Sequence, residues 1–236
     1  MREENLLLAS LADAERERLS PYLEKVVLEY QQLLIEPYQE ITDIYFPYDA
    51  ITSTIQDMSD GNSVETGLMG LEGFVGVQLW LHAPTTPTRT LVQVPGQAHH
   101  MRATDFIRLV RDADSPLNEL CAKYAHAFLI MTSQTAACNR LHPINERLCR
   151  WLKLVHNRVR RDQFPLRQEF VAQMLGVHRP TVSTAANMLQ QAGLVSYSRG
   201  QMRILDAEGL RNGSCECLEI IEKQFAQVFD GNQNRR

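Results

Sequence analysis

Residues 168–187 read QEFVAQMLGVHRPTVSTAAN, and the order of small, apolar and turn-forming residues there decides how the chain is read. Ala172 is small where two helices would cross most closely. Gly176 stands at the turn between them, where a left-handed backbone costs least without a Cβ. Val171, Leu175, Val177, Val182 and Ala185 are apolar at spacings that close a miniature core. Pro180 falls in the first turn of the second helix, where its missing N–H is harmless. This is the residue grammar of a helix-turn-helix, a unit that lays its second helix in the DNA major groove. An ordinary helical hairpin is the competing reading, but it does not call for Ala and Gly at these two positions.

Charge supports the first reading. The 236-residue chain carries a formal net charge of −4, which hides a separation. From Met1 to Cys138 there are 19 acids and 9 bases. From Asn139 to Arg211 there are 12 bases and 5 acids, and the helix-turn-helix lies inside that basic block. Phosphate affinity follows local cation density rather than total charge. A 44% hydrophobic and 22% charged composition is that of an ordinary globular protein. The start, MREENLLLASLADAERERL, has no long apolar run, so neither a signal peptide nor a membrane association is expected, and the expected compartment is the cytoplasm. Five cysteines, an odd number, do not suggest a disulfide framework.

Ser10-x-x-Asp13 reads as a capping box opening a short helix towards Leu19. From about Tyr22 to Met101, short apolar runs alternate with turn residues: VVLEY, QLLIE, DIYFPY, AITSTIQDM, SVETGLMG, GFVGVQLWL and RTLVQVPG. Asp60-Gly61-Asn62 reads as a hairpin turn and Pro95-Gly96 as another. The spacing predicts a β-sandwich or jelly roll. A short helix follows over 105–111, and Ser115-Pro116 opens a long one, with Ser as N-cap and Pro at the first helical position. On that helix Leu117, Tyr124, Met131 and Cys138 recur seven apart, with Cys121, Phe128 and Thr135 between them, the pattern of a coiled-coil dimer seam. Packing against the chain's own β-domain is the alternative. His142-Pro143 breaks the helix, and a second one begins at Ile144. After the helix-turn-helix, GLVSYSRGQMRILD reads as two short strands around Arg199-Gly200, a wing, and the terminal GNQNRR reads as disordered.

The fold class expected is therefore α+β. It comprises an N-terminal β jelly roll resembling a cyclic-nucleotide-binding domain (1–114), a long dimerisation helix (115–141), a winged helix-turn-helix (142–212) and a C-terminal helix with a tail (213–236). This order, with LRQEFVAQMLGVHRPTV, GFVGV and Thr132-Ser133, resembles the Crp–Fnr family of bacterial transcription regulators across about residues 5–210. TAACNRLHPINERLCRWL and SCEC mark a subgroup distinct from the family's best-known members. The resemblance implies a homodimer on a pseudo-palindromic operator of double-stranded DNA, with RNA polymerase as a further partner and no enzymatic activity. No phosphate-binding glycine loop, nucleophile elbow or acid/base pair in a recognisable motif argues for catalysis.

Carried over position by position, the resemblance implies that Arg167 and Gln168 hold phosphates and that Arg179 reads a guanine, for which a guanidinium offers two donors. A phosphate clamp is the other role open to Arg179. Pro180 and Thr184 replace two residues of the family's base-reading set, so neither familiar operator is expected to be read unchanged. Ser183, Thr184 and Asn187 share a helical face and are the expected remaining readers; Thr181 and the wing's Arg199 join the candidate contacts, and His178 is the expected helix cap.

In family members that bind cyclic AMP, a Gly-Glu-Leu turn holds the ribose and an Arg-Ser pair the phosphate. Here the turn is Gly76-Val77-Gln78, without the carboxylate, while Thr88-Arg89 lies near the phosphate position and Thr132-Ser133 near the adenine. Losing the ribose acceptor argues against cyclic AMP. Another small anionic ligand, such as a different nucleotide, or an empty, vestigial pocket with control by redox, a protein partner or abundance, remains. A ligand would act on the helix around Phe128 to Thr135 and turn the DNA-binding unit about His142-Pro143. No cysteine precedes Cys121, so no iron–sulfur cluster is expected. Cys215-x-Cys217 supplies only two thiolates, too few for zinc, and no metal ligands or other cofactor are identified.

Overall fold

The apolar runs between Glu24 and Arg102 form two antiparallel sheets in a computed structural model describing residues 4–111 and 115–230. The strands are β1 (Glu24–Leu28), β2 (Leu33–Ile35), β3 (Asp43–Pro47), β4 (Ile51–Asp57), β5 (Ser63–Met69), β6 (Arg89–Val94) and β7 (Gly96–Arg102). One sheet runs β1-β7-β3 and the other β2-β6-β4-β5, so the chain crosses between sheets at Pro95. The β4–β5 hairpin turns at Gly61, with φ +85°, and Met58 N–H donates to Asn62 O at 2.8 Å.

Four helices attend the sandwich: α1 (Leu6–Ala9), α2 (Asp13–Leu19), α3 (Val77–Trp80) and α4 (Ala103–Val110). Two local expectations change here. Ser10 does not cap α2; its hydroxyl donates to Leu6 O at 2.6 Å and closes α1, while Ala12 is the N-cap of α2. GFVGVQLWL contributes a single bridge, Tyr45 to Val75, and then α3 instead of a strand, because Gly76 turns the backbone into the left-handed region.

α5 (Pro116–Leu141) and α6 (Ile144–Val159) follow, then β8 (Gln163–Pro165), α7 (Gln168–Leu175), α8 (Arg179–Gln191), β9 (Val195–Ser198), β10 (Gln201–Ile204), α9 (Ala207–Asn212) and α10 (Cys217–Phe229). The two wing strands gain a third partner, in the order β8-β10-β9. The terminal segment 231–236, expected to be disordered, lies outside the described residues. Among those described, no helix is long and apolar enough to cross a membrane.

α6 joins the two halves. It is buried nearly all round, carrying Leu148, Trp151, Leu152, Leu154, Val155 and Val159 into the core together with Arg147, Arg150 and Arg158. The Trp151 indole N–H donates to Glu65 Oε1 on β5 at 3.0 Å. Arg158 Nε donates to Glu72 Oε1 at 2.6 Å, with both side chains more than nine-tenths buried. Gly70 lets this approach happen, since a Cβ there would lie 3.0 Å from the Cβ of Arg158.

Glu65 is the unusual member of this interface. Burial raises its carboxyl from 4.5 to about 7, against the opposing pull of Ser53, Trp151, Arg150 and Arg158. Ser53 Oγ lies 2.6 Å from Glu65 Oε2 and 2.7 Å from Gln93 Oε1, and a hydroxyl has one proton to give. Protonated, Glu65 donates to Ser53, which donates to Gln93; ionised, it accepts from Ser53, whose oxygen then accepts from the otherwise unpartnered Gln93 amide nitrogen on a flip of that amide. Between about pH 4.5 and 7 the folded protein holds a proton that the unfolded chain has released, so this group's contribution to stability falls as pH rises through that window. Glu65→Gln is expected to flatten the dependence and to stabilise the protein above pH 7 by up to about 3 kcal/mol. Thermal unfolding from pH 4.5 to 8.5 checks this; an undiminished slope, with the variant less stable at every pH, contradicts it.

Candidate functional site

The turn between α7 and α8 is built as its residues require. Gly176 sits at φ +59° and ends α7, and Val177 N–H donates back to Ala172 O at 3.0 Å. His178 occupies the N-cap of α8 and Pro180 its first turn. Val182, Ala185, Ala186 and Leu189 bury one face of α8, leaving Thr181, Thr184 and Asn187 exposed on the other. Arg199, at φ +51°, is exposed where β9 turns into β10.

Many of the expected contacts are engaged within the chain: Thr184 Oγ1 donates to Pro180 O at 3.1 Å, and Asn187 Oδ1 accepts from Gln190 Nε2 at 3.4 Å. Ser183 Oγ lies 2.7 Å from Gln168 Oε1, which ties α8 to the start of α7. Arg179 Nη1 lies 3.0 Å from Glu169 Oε1, both side chains being well exposed. The Arg167 guanidinium sits 5.5 Å from the ring centroid of Tyr30. The basic block is also less exposed than its count suggests, because Arg147, Arg150 and Arg158 are buried. Arg147 clamps the turn from behind, donating to Asn139 Oδ1 at 2.9 Å and to the carbonyl of Leu175 at the end of α7.

Residues 146–212 match the family model of a Crp-like helix-turn-helix domain. No curated protein sequence matches the chain. Its fold recurs in solved structures, among them FixK2 from Bradyrhizobium japonicum, with TM-score 0.68, 12% identity, and coverage of 82% of this chain and 98% of that one. A Crp/Fnr-family transcriptional regulator from Thermus thermophilus aligns with TM-score 0.65 and 15% identity, covering 81% of this chain and 98% of that one. The c-di-GMP-responsive global regulator CLP from Xanthomonas campestris aligns with TM-score 0.64 and 15% identity, covering 82% and 99%. At these identities the likeness establishes the fold, and the Crp-like domain places a DNA-binding unit on it. The resemblance to the Crp–Fnr regulators thus rests on both a sequence match over residues 146–212 and an architecture.

Outside the Crp-like domain, the residues expected to form a dimer seam face inward. Leu117, Cys121, Tyr124, Met131, Thr135 and Cys138 are buried within the protomer, and Phe128 is half-buried. The Tyr124 ring centroid lies 5.1 Å from that of Phe74 and 6.2 Å from that of Phe225 on α10. Phe128 covers Gly67 on β5, where a Cβ would come within 2.5 Å of its ring. The seven-residue row is the inner face of α5, covered by the chain's own β-domain and by α10. The outer face carries His126, Leu129, Ser133, Ala136, Ala137 and Arg140, and Leu129 is 63% exposed.

The expected effector groups are satisfied locally. Arg89 is held by Asp57 through two hydrogen bonds, 2.7 Å from Nε and 3.1 Å from Nη2. Thr88 Oγ1 lies 2.9 Å from Thr86 Oγ1, and Thr132 Oγ1 donates to Phe128 O at 3.0 Å. Ser133 is exposed, Val77 is buried, and a Cβ at Gly76 would strike Ile44.

One constellation was missed in the sequence. Cys138 and His142, one turn apart at the end of α5, meet Cys215 and Cys217 at the start of α10, with all four donor atoms within 4.8 Å of one another. Cys138 Sγ is 3.6 Å from Cys215 Sγ, and Cys217 Sγ is 3.5 Å from His142 Nδ1. The Cys215 hydrogen bond and nearby Arg150 bring the Cys138 thiol down to about 5, and the same contact pushes Cys215 upward. The expectation of no metal ligands took Cys215 and Cys217 as an isolated pair, Cys138 as a buried helix residue and the histidines as lacking metal spacing, and folding brings Cys138 and His142 to that pair. The available signal was Cys-x3-His at a helix end combined with Cys-x-Cys, two halves separated by 72 residues.

Proposed function

We propose that this protein is a homodimeric, sequence-specific transcription regulator that inserts α8 into the major groove of a pseudo-palindromic operator and acts with RNA polymerase. The observation that carries the reading is the exposed polar face of α8, Thr181-Thr184-Asn187, backed by a packed Crp-like domain and flanked by the wing at Arg199. Thr184 and Asn187 are the base readers: hydroxyl and amide groups can match base-edge donors and acceptors. Arg199 serves phosphate, as do Arg167 and Arg179 once Tyr30 and Glu169 release them.

Two copies meet through the outer face of α5, where Leu129, Ala136 and Ala137 offer apolar and small side chains at helical spacing. A relative such as CLP is described as responsive to c-di-GMP. Here the Arg89–Asp57 pair supports the second reading, a front domain without an anionic nucleotide at Arg89, whose control enters elsewhere.

In gel shifts against the chain's own promoter region, Thr184→Ala and Asn187→Ala are each expected to change discrimination between operator bases by about 1–3 kcal/mol. Arg199→Ala is expected to weaken every sequence alike and to reduce the salt slope by about one. Absence of binding at low salt would overturn the reading. Under mild oxidation, Ala136→Cys is expected to give a covalent dimer while the buried native Cys138 gives none. Cross-linking through Cys138 would restore the inner face as the seam.

A further inference from the structure

Cys138, Cys215 and Cys217 form a small buried cluster of their own, separate from the apolar core. Cys121 and Cys149 are buried elsewhere, so the clustering is not a general property of this chain's thiols. Around an ion with sulfur at about 2.3 Å and nitrogen at about 2.0–2.1 Å, a tetrahedron puts sulfurs about 3.8 Å apart and sulfur about 3.5 Å from nitrogen. The observed 3.6 Å between Cys138 and Cys215 and 3.5 Å between Cys217 and His142 Nδ1 are close to those spacings, and all four donor atoms lie within 4.8 Å of one another. They are also far longer than a disulfide, about 2.05 Å.

The surroundings suit an ion as well. His142 presents Nδ1 to the thiols while its Nε2 lies 3.3 Å from Glu216 Oε1, the carboxylate–histidine arrangement that orients a metal-bound imidazole. Gln134 Nε2 donates to Cys217 Sγ at 3.1 Å, a contact suited to a thiolate. Soft sulfur donors with one imidazole and four positions filled favour zinc in a closed structural site. A multi-iron cluster would interpose its own sulfides and hold its cysteines further apart.

We propose that Cys138, His142, Cys215 and Cys217 bind one Zn(II) ion per chain as a Cys3His site, which pins the start of α10 to the end of α5 just before the His142-Pro143 break. Binding replaces the thiol protons, which pass to solvent, by bonds to the ion. The clamp holds α10 across the inner face of α5, where Phe225 packs on Tyr124.

Elemental analysis of the purified protein after dialysis against a mild chelator should find one zinc per chain, and Cys217→Ser should lose it. Because that variant could also unfold, cobalt substitution of the wild-type protein supplies an independent reading. Co(II) should give the intense visible bands of a tetrahedral site with sulfur-to-metal charge transfer, and His142→Cys should keep a tetrahedral spectrum but shift it towards that of a four-thiolate site. Three results would each overturn the proposal: reduced protein that retains no zinc and gives no tetrahedral cobalt spectrum; iron and sulfide in place of zinc; or a Cys138–Cys215 disulfide in metal-free protein as the stable form under reducing conditions that keep Cys121 and Cys149 free.

Discussion

The seating of α6 and α7 against the front domain fixes the position of the helix-turn-helix. Trp151 bonds Glu65 on β5, and Arg158 bonds Glu72 in the following loop, so two points along one helix are tied to one sheet. A buried ion pair adds little net stability compared with apolar residues of the same shape, yet breaking one partner typically costs about 3–5 kcal/mol. Its effect here is therefore positional: α6 is held in a single register. α8 and α9 pack on α6, while α7 packs on α8 and directly on β5, so the exposed face of α8 inherits its position from both contacts with the front domain.

The same constraint explains why the chain's positive charge is divided. Arg147, Arg150 and Arg158 sit on α6 facing Leu175, Glu65 and Glu72, and they assemble the domain instead of meeting phosphate. Arg167, Arg179 and Arg199 remain at the surface. A count along the sequence weighs these residues equally, and only burial separates those that build the interface from those that can leave it. The Cys138–His142–Cys215–Cys217 cluster lies where α5 gives way to α6, so it bears on the opposite end of the same unit.

Much of this was legible in sequence because it is local. Gly176, Pro180 and the apolar positions around them specify the helix-turn-helix within about twenty residues, and Asp60-Gly61-Asn62 specifies its hairpin. What escaped is non-local. The heptad row on α5 gave its period correctly but could not say which partner covers it, and α10, about a hundred residues later, supplies much of the cover. Ser10 could cap forwards or close the preceding turn, and only the packing of α1 chose. Arg89 looked free because Asp57, its partner across two neighbouring strands, is 32 residues away.

Trp151 is one of the points that dock the Crp-like unit on the front domain. Hydrogen exchange of the tryptophan indole protons, followed by NMR, tests it directly. Trp151, 1% exposed and bonded to Glu65, should exchange only as slowly as the most protected backbone amides of β4 and β5. The half-buried Trp80, bonded to Asn118, gives an internal comparison and should exchange sooner. A Trp151 indole that exchanges as fast as that of Trp80, while the strands stay protected, would mean that the two halves separate freely and that Trp151 does not hold them together.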